Sequence, residues 1–331
     1  MIIGILCYPG YELMKMVAAV EQSGCKYKVI NIMSNDWMEE CGQEIDGYIV
    51  RPPCNYQEHK TIFDERIYFI NKIMKKPIYP SFDEIYTYEN KRNMCTYLDY
   101  HKVPHPKTRI YSDKKEAISA LKSITLPIVS KSNIGAAGSA VTIIKKESQY
   151  KRHVNKIFGR FTSDLSMGVV PSFSTKTTKG IKVPRFGRAQ KHYAIIQDFL
   201  RIKWEWRMIR IGDSYFGHQK LLDNKGYASG SDLVGWETPS SELLYLLKNT
   251  TDKMGMRCMV LDIFETIDGE LLVNEMQSII GAYRPYQMKV NGKPGRFVYQ
   301  NEQFLFEEGV HCDNSCWNPR VNDFINILKK G

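Results

Sequence analysis

The 331-residue sequence predicts an α/β domain built on a parallel sheet at its N-terminal end, followed by a region where strands pair as hairpins between helices. Three observations carry this. Strand-length apolar runs alternate with helical spacing over the first 80 residues. After about Asn90, turn-forming and small-residue stretches close strand pairs instead. The longest apolar runs, such as Met1–Cys7 and Cys258–Phe264, are far short of the roughly 20 residues a membrane helix needs.

Ile2–Cys7 is an apolar strand ending at Pro9-Gly10. Tyr11–Ser23 spaces Leu13, Met16, Val17 and Val20 along one helical face and stops at Gly24. Tyr27–Ile32 and Gly47–Val50 read as strands, Ile62–Met74 as a helix and Pro77–Tyr79 as a short strand. This alternation implies a parallel sheet of Rossmann-like build. The loop Cys7-Tyr8-Pro9-Gly10-Tyr11 lacks the three-glycine fingerprint that seats a pyrophosphate, so no dinucleotide site is expected there.

Lys91–His101 then reads as a helix stopped by Val103-Pro104-His105-Pro106. Thr108–Tyr111 is a strand and Lys114–Lys122 a helix. Pro127–Lys131 and Val141–Lys145 are strands flanking a loop of small residues. Further strands follow at Ala194–Leu200, Glu205–Ile211 and Ser214–Lys220. A helix over Ser240–Met254, the paired strands Cys258–Glu265 and Glu270–Gln277, and a helix near Val321–Lys329 complete the chain.

The composition is that of a globular protein, and the N-terminus reads as a first strand, so a cytoplasmic location is expected. Eight cysteines are too sparse for a disulfide framework, and Cys312 and Cys316 near His311 lack the second pair a zinc site needs. Between Lys151 and Lys191 stand ten Lys/Arg against one acid, Asp164, so this stretch holds nearly all of the +10 net charge. It reads as a solvated basic loop or as a surface for a polyanion. Nucleic acid is disfavoured because the stretch has few aromatics for base stacking. If the stretch steers an anionic substrate, efficiency toward that substrate should fall with salt, since such charge is screened beyond roughly 8–10 Å.

The late hairpin carries the sharpest chemical signal. Asp268-Gly269 suits a two-residue turn, and counting back from it places Asp262 opposite Glu275, with Gln277 on the same face. Two carboxylates thus converge on strands that are otherwise apolar, which costs several kcal/mol unless they are compensated. Mg²⁺ shared with phosphates is one solution, and an Arg or Lys paired to each acid is the other. On the metal reading, Glu275→Ala should relieve repulsion and leave the protein without the ion at least as stable.

A second signal is Lys131 leading into Ser132-Asn133-Ile134-Gly135-Ala136-Ala137-Gly138-Ser139. Small residues let backbone N–H groups approach phosphate oxygens while the lysine supplies a point charge. It is not a Walker A loop, and a plain hairpin turn fits it equally. A third is Gln197-Asp198-Phe199-Leu200 followed by Glu205-Trp206-Arg207. A strand connection can offer adenine its backbone groups, and a carboxylate just beyond can accept from ribose hydroxyls.

In this order and spacing, these stretches resemble the ATP-grasp superfamily, over the whole chain. Asn90-Lys91 with Val103-Pro104-His105-Pro106-Lys107-Thr108, the Lys131 loop, the Gln197 hinge, Glu205-x-Arg207, and Asp262 with Val273-Asn274-Glu275-Met276-Gln277 each match a family stretch. Asn90 replaces the common Asp, Gln277 stands where Asn is usual, and Gly281-Ala282-Tyr283 replaces a Pro-Gly ending. The nearest branch is that of the carboxylate–amine ligases, which includes glutathione synthetase, D-alanine–D-alanine ligase and the ribosomal-protein glutamate ligase.

The resemblance implies a Rossmann-like α/β domain over residues 1–85. It implies two α+β subdomains over 86–190 and 191–331 that grip ATP. Lys91, Lys131 and the loop Gly135, Ala136, Ala137, Gly138 and Ser139 would hold the phosphates. Gln197, Asp198, Phe199, Leu200 and Glu205 would hold the nucleoside. Asp262, Glu275 and Gln277 would hold one or two Mg²⁺, with Mn²⁺ able to substitute. Arg207 and Lys220 would face the transferred phosphoryl group. The substrates would be a carboxylate and an amine, with an amino acid among the amines, and a homodimer is compatible with the sequence. The rivals are a small-molecule kinase of the same fold and a non-catalytic nucleotide-binding protein.

Overall fold

The structure is a computed structural model and describes residues 1–54, 57–135, 141–159, 192–223, 228 and 233–330. The chain begins with β1 (Ile2–Cys7), α1 (Met14–Gln22), β2 (Lys26–Asn31), α2 (Trp37–Glu40), β3 (Gly47–Val50) and α3 (Gln57–Tyr68). The last of these runs on as a π-helical turn over Phe69–Ile73. With β4 (Ile78–Tyr79) the strands form a parallel sheet in the order β2-β1-β3-β4, as the alternation predicts.

A short helix, α4 (Phe82–Thr87), was not legible from apolar spacing. A capping box between Ser81 and Glu84 sets its start, and Asn90 caps α5 (Lys91–Tyr100) by accepting from the Asn93 N–H. The second sheet then opens with β5 (Thr108–Tyr111), α6 (Lys114–Ser119), β6 (Ile128–Lys131), β7 (Val141–Ile144), α7 (Glu147–Ile157) and β8 (Ala194–Asp198). Its order is β5-β8-β6-β7, all antiparallel. Helix α7 corrects the reading of a basic loop. Lys151, Arg152 and Lys156 ride on it, and Lys151 pairs with Glu147 one turn away. The remainder of the basic stretch, residues 160–191, lies outside the described residues.

The third sheet is built from β9 (Ile202–Ile211), β10 (Ser214–Lys220), β11 (Val234–Gly235), β12 (Cys258–Thr266), β13 (Leu271–Gln277), β14 (Lys289–Val290), β15 (Lys293–Gln300) and β16 (Gln303–Glu308). The main path runs β13-β12-β9-β10-β15-β14, with β11 on β10 and β16 on β15. The last three strands were not expected. Their β15–β16 turn is Asn301-Glu302, both with positive φ, a geometry of type I′ that Asn readily adopts but Glu does not signal. Helix α8 (Ser241–Lys253), capped by Ser240, covers this sheet, and α9 (Asp313–Lys330) ends the described chain.

The N-terminal domain and the large sheet share one core. Ile3, Ile5, Met16 and Val20 pack with Ile209, Ile211 and Val260 of the large sheet and with Trp317, Val321 and Phe324 of α9. The other face of the parallel sheet packs on α3 through Leu6, Ile30, Tyr48, Phe63 and Ile67. The chain passes from the second sheet to the third through Phe199–Arg201, directly after β8. No described helix is long and apolar enough to cross a membrane.

Candidate active site

The β12–β13 hairpin closes through Ile267-Asp268-Gly269, one residue more than the Asp-Gly signal suggests. Gly269 N–H donates to Thr266 O and Thr266 N–H to Glu270 O, each over 3.0 Å, and Gly269 takes φ +85°. A three-residue loop ending in left-handed glycine is the next commonest hairpin closure. The extra residue shifts the register, so that Ile263 faces Val273. A bulge between Asp262 and Ile263 then shifts it back, and Asp262 faces Glu275 as counted from the sequence. Two irregularities cancel. The residue displaced by the bulge is Asn274, which alternation would have turned away from Glu275.

Asn274 instead joins the site. Its Oδ1 accepts from Lys131 Nζ over 2.7 Å, which ties the second sheet to the edge strand of the third. Its Nδ2 donates to Glu205 Oε2 over 2.9 Å. Asp262, on β12, lies beside β9, where Arg207 is its register partner. Arg207 grips it with Nε on Oδ1 at 2.9 Å and Nη2 on Oδ2 at 2.8 Å. Lys220 on β10 donates to the same Oδ2 over 2.9 Å and also to Glu205. Glu275 pairs with Lys91 Nζ at 3.0 Å, and Lys91 also donates to Gly135 O over 3.2 Å.

Each of the two opposed acids therefore has a cation. This corrects the argument that they would stand uncompensated without a metal. Four acids (Glu89, Glu205, Asp262, Glu275) meet four cations (Lys91, Lys131, Arg207, Lys220), so the buried cluster is balanced by itself. It also changes the expectation for Glu275→Ala, which now strips Lys91 of its ion-pair partner.

The electrostatics follow from burial and pairing. Burial pushes the Asp262 carboxyl up, but Arg207 and Lys220 outweigh it and hold it well below the usual carboxylate range. Glu275 is likewise lowered: burial opposes ionisation and Lys91 overrides it. Lys91 is raised, because Glu275 and Glu89 outweigh its burial. Lys131 goes the other way, and burial brings it down to about 8. Burial raises Glu205 and Glu89, with Lys220 and Lys91 partly offsetting this. His218, buried on β10 with Nδ1 against Gln287 O at 2.9 Å, is pushed down by burial to about 4.

The small-residue loop is described at its start only. Gly135 N–H donates to Glu89 Oε2 over 2.9 Å, and Asn133 Oδ1 accepts from Arg92 N–H over 2.9 Å. Ala136, Ala137, Gly138 and Ser139 lie outside the described residues. At the hinge, Gln197 Nε2 donates to Thr108 Oγ1 over 3.1 Å and Asp198 pairs with Arg109 at 2.6 Å, while Phe199 is exposed and Leu200 half-buried. Glu205, expected at the ribose, is turned inward: it is 3% exposed and bound by Lys220 and Asn274. Gln277 is half-buried opposite Val260.

Sequence reasoning missed Glu89 and Asn274 as site residues. Asn274 needed the bulge. Glu89 sits between two helices at φ +51°, a position no periodicity marks.

Among the described residues, no three of His, Cys, Asp and Glu cluster as a closed metal site, and this includes Cys312, Cys316 and His311. An Mg²⁺ shared with phosphates needs only one or two carboxylates and keeps its other oxygens from phosphate and water. The opposed Asp262 and Glu275 fit that requirement. Because the cluster is already neutral, the roughly four negative charges of a bound ATP would call for added cations.

No family model matches the sequence. No curated protein matches it either. Solved structures do. A carboxyaminoimidazole ribonucleotide synthase from Aspergillus clavatus complexed with ATP is 11% identical, with 98% of this chain and 76% of that one covered at a TM-score of 0.60. A RimK domain ATP-grasp protein from Sphaerobacter thermophilus is 13% identical, over 83% of this chain and 90% of that one, with a TM-score of 0.54. The ATP-grasp ligase PsnB, complexed with precursor peptide PsnA2 and AMPPNP, is 12% identical over 99% and 98% of the two chains, with a TM-score of 0.57. With a parallel four-stranded domain followed by two antiparallel sheets joined at Phe199–Arg201, this chain belongs to the ATP-grasp fold.

Proposed function

We propose that this chain is an ATP-dependent ligase that joins a carboxylate to an amine through an acyl-phosphate. The observation that carries this is the single buried cluster in which Lys91, Lys131, Arg207 and Lys220 surround the opposed Asp262 and Glu275, at the seam of two sheets. The likeness to ATP-grasp ligases solved with ATP and AMPPNP supports it.

Lys91 and Lys131 hold the α- and β-phosphates, with the loop from Gly135 to Ser139 over the triphosphate. The hinge Gln197–Leu200 offers backbone groups to adenine. Glu205 and Asn274 position Lys220 and Lys131 and do not touch the ribose. Asp262 and Glu275, with Gln277 beside them, would hold Mg²⁺, which supplies charge neutralisation between phosphate oxygens. Arg207 and Lys220 stabilise charge on the transferred group.

A substrate carboxylate oxygen attacks the γ-phosphorus, the bond to the β-phosphate oxygen breaks, and ADP leaves. The amine then attacks the acyl carbon, phosphate departs with the C–O electron pair, and the amine nitrogen loses a proton. Trapping tests the reading: protein, ATP, Mg²⁺, hydroxylamine and a panel of amino acids and anionic carboxylates should yield ADP and a hydroxamate in equal amounts. ADP without hydroxamate would point to a kinase. Failure to bind ATP at millimolar concentration would overturn the reading.

A further inference from the structure

Beside the cluster lies a group of residues that phosphoryl transfer does not use. Strand β11 pairs with β10 through Gln219↔Gly235 and Lys220↔Val234, so Trp236 emerges next to the strand that carries Lys220. Its ring centroid is 5.6 Å from that of His218 and 5.3 Å from that of Tyr286. The His218–Gln287 hydrogen bond ties the segment 284–289 to β10 next to Trp236. Arg284 Cζ then stands 5.6 Å and Lys289 Nζ 5.4 Å from the Trp236 centroid, and Lys289 also lies 5.0 Å from Tyr286.

Among the described residues, neither Arg284 nor Lys289 forms an ion pair. The nearby Glu237 is bound to Gln219 Nε2 at 3.0 Å. Two cations beside one indole are each attracted by the ring but repel one another, and an anion bound between them would offset that repulsion. On the other side of His218, Arg207 and Lys220 are already committed to Asp262 and Glu205. Among the described residues, positive charge without an ion-pair partner therefore gathers around Trp236 and Tyr286, beside the strand that carries Lys220.

We infer that Trp236, Tyr286, Arg284 and Lys289 form a specificity pocket for a substrate bearing a second anionic group besides its reacting carboxylate. The reacting carboxylate points toward Lys220, the second anion lies between Arg284 and Lys289, and the connecting carbons rest on Trp236. A dicarboxylate and a phosphorylated carboxylate share this chemistry. The inference rests on the ligase reading above and narrows its substrate.

The test is tryptophan fluorescence of the full chain with AMPPNP and Mg²⁺ bound, titrated with succinate against butyrate and with 3-phosphoglycerate against glycerate. A saturable change is expected for the dianion of at least one pair, at ten-fold or more lower concentration than for its monoanionic partner. The pair that shows it identifies the anion. Trp236→Phe should lose the signal. Arg284→Gln with Lys289→Gln should erase the preference while AMPPNP affinity stays within two-fold. Equal responses to dianion and monoanion, no saturable response, or an unchanged preference in the double variant would overturn the pocket. Since AMPPNP affinity is read separately, loss of nucleotide binding would indict the ligase reading, and its retention without dianion preference would indict the pocket alone.

Discussion

Lys131 and Asn274 are 143 residues apart in sequence, yet Lys131 Nζ donates to Asn274 Oδ1 over 2.7 Å and thereby joins two sheets at the site. The lysine ends a strand of the second sheet, and a bulge in the edge strand of the third re-aims the asparagine toward it. Asn274→Ala removes this bond and the one to Glu205. It should lower the rate of ATP turnover ten-fold or more and cost about 1–3 kcal/mol in chemical denaturation. Asn274→Asp should restore the acceptor for Lys131 but set a carboxylate against Glu205, so it should rescue neither quantity. Full rescue by aspartate would show that the bond to Glu205 is irrelevant.

Lys131 also sets a pH dependence. Its pKa in the folded chain is about 8, against 10.5 when unperturbed. Between these values the native state carries fewer protons than the unfolded state, so this lysine's contribution to stability rises with pH across that window. Its attraction for phosphate falls over the same range. At pH 8 about half of the lysines are neutral, and a bound triphosphate should re-protonate them. Titration calorimetry at pH 8 in buffers of different ionisation enthalpy should show uptake of up to about half a proton per ATP. Lys131→Arg, which stays charged, should show none from this position.

Glu275→Gln should abolish Mg²⁺-dependent turnover and destabilise the protein without ligand. Lys91, buried at 3.0 Å from the lost charge, keeps its cost of desolvation without its ion-pair partner, a loss of about 2–4 kcal/mol. Denaturation without nucleotide reads this directly. A variant as stable as the parent would mean that Glu89 alone compensates Lys91.

Glu84 supports the site from a distance. Fully buried, it accepts from Ser81 N–H at 2.6 Å and from Arg257 and Cys258 N–H at 2.5 Å each, so it fastens the helix before Lys91 to the strand of Asp262. Glu84→Ala leaves one buried donor, Cys258 N–H, and two half-buried ones, Ser81 and Arg257 N–H, without this acceptor and should cost about 2–4 kcal/mol, lowering the melting temperature by several degrees. Nucleotide affinity should then fall in the protein that remains folded. A change below about 1 kcal/mol would mean that water replaces the carboxylate.

The sequence by itself determined the parallel N-terminal sheet, because strand and helix periods differ and alternate there without ambiguity. It also determined the strands that carry Lys131, Arg207, Lys220, Asp262 and Glu275, since charged residues inside apolar runs are conspicuous. It placed Asp262 opposite Glu275 by counting, although the count held only because a longer turn and a bulge cancelled. Tertiary structure alone decided the rest. Which cation meets which acid depends on side chains from β9, β10, β12 and α5, far apart in the chain, and the energy that pairs them is long-range and buried. Asn274 and Glu89 entered the site through a bulge and a left-handed residue, local departures that no periodicity announces. Glu205 turned inward because Lys220, its register partner on β10, offered a buried charge that a solvent-facing position could not match.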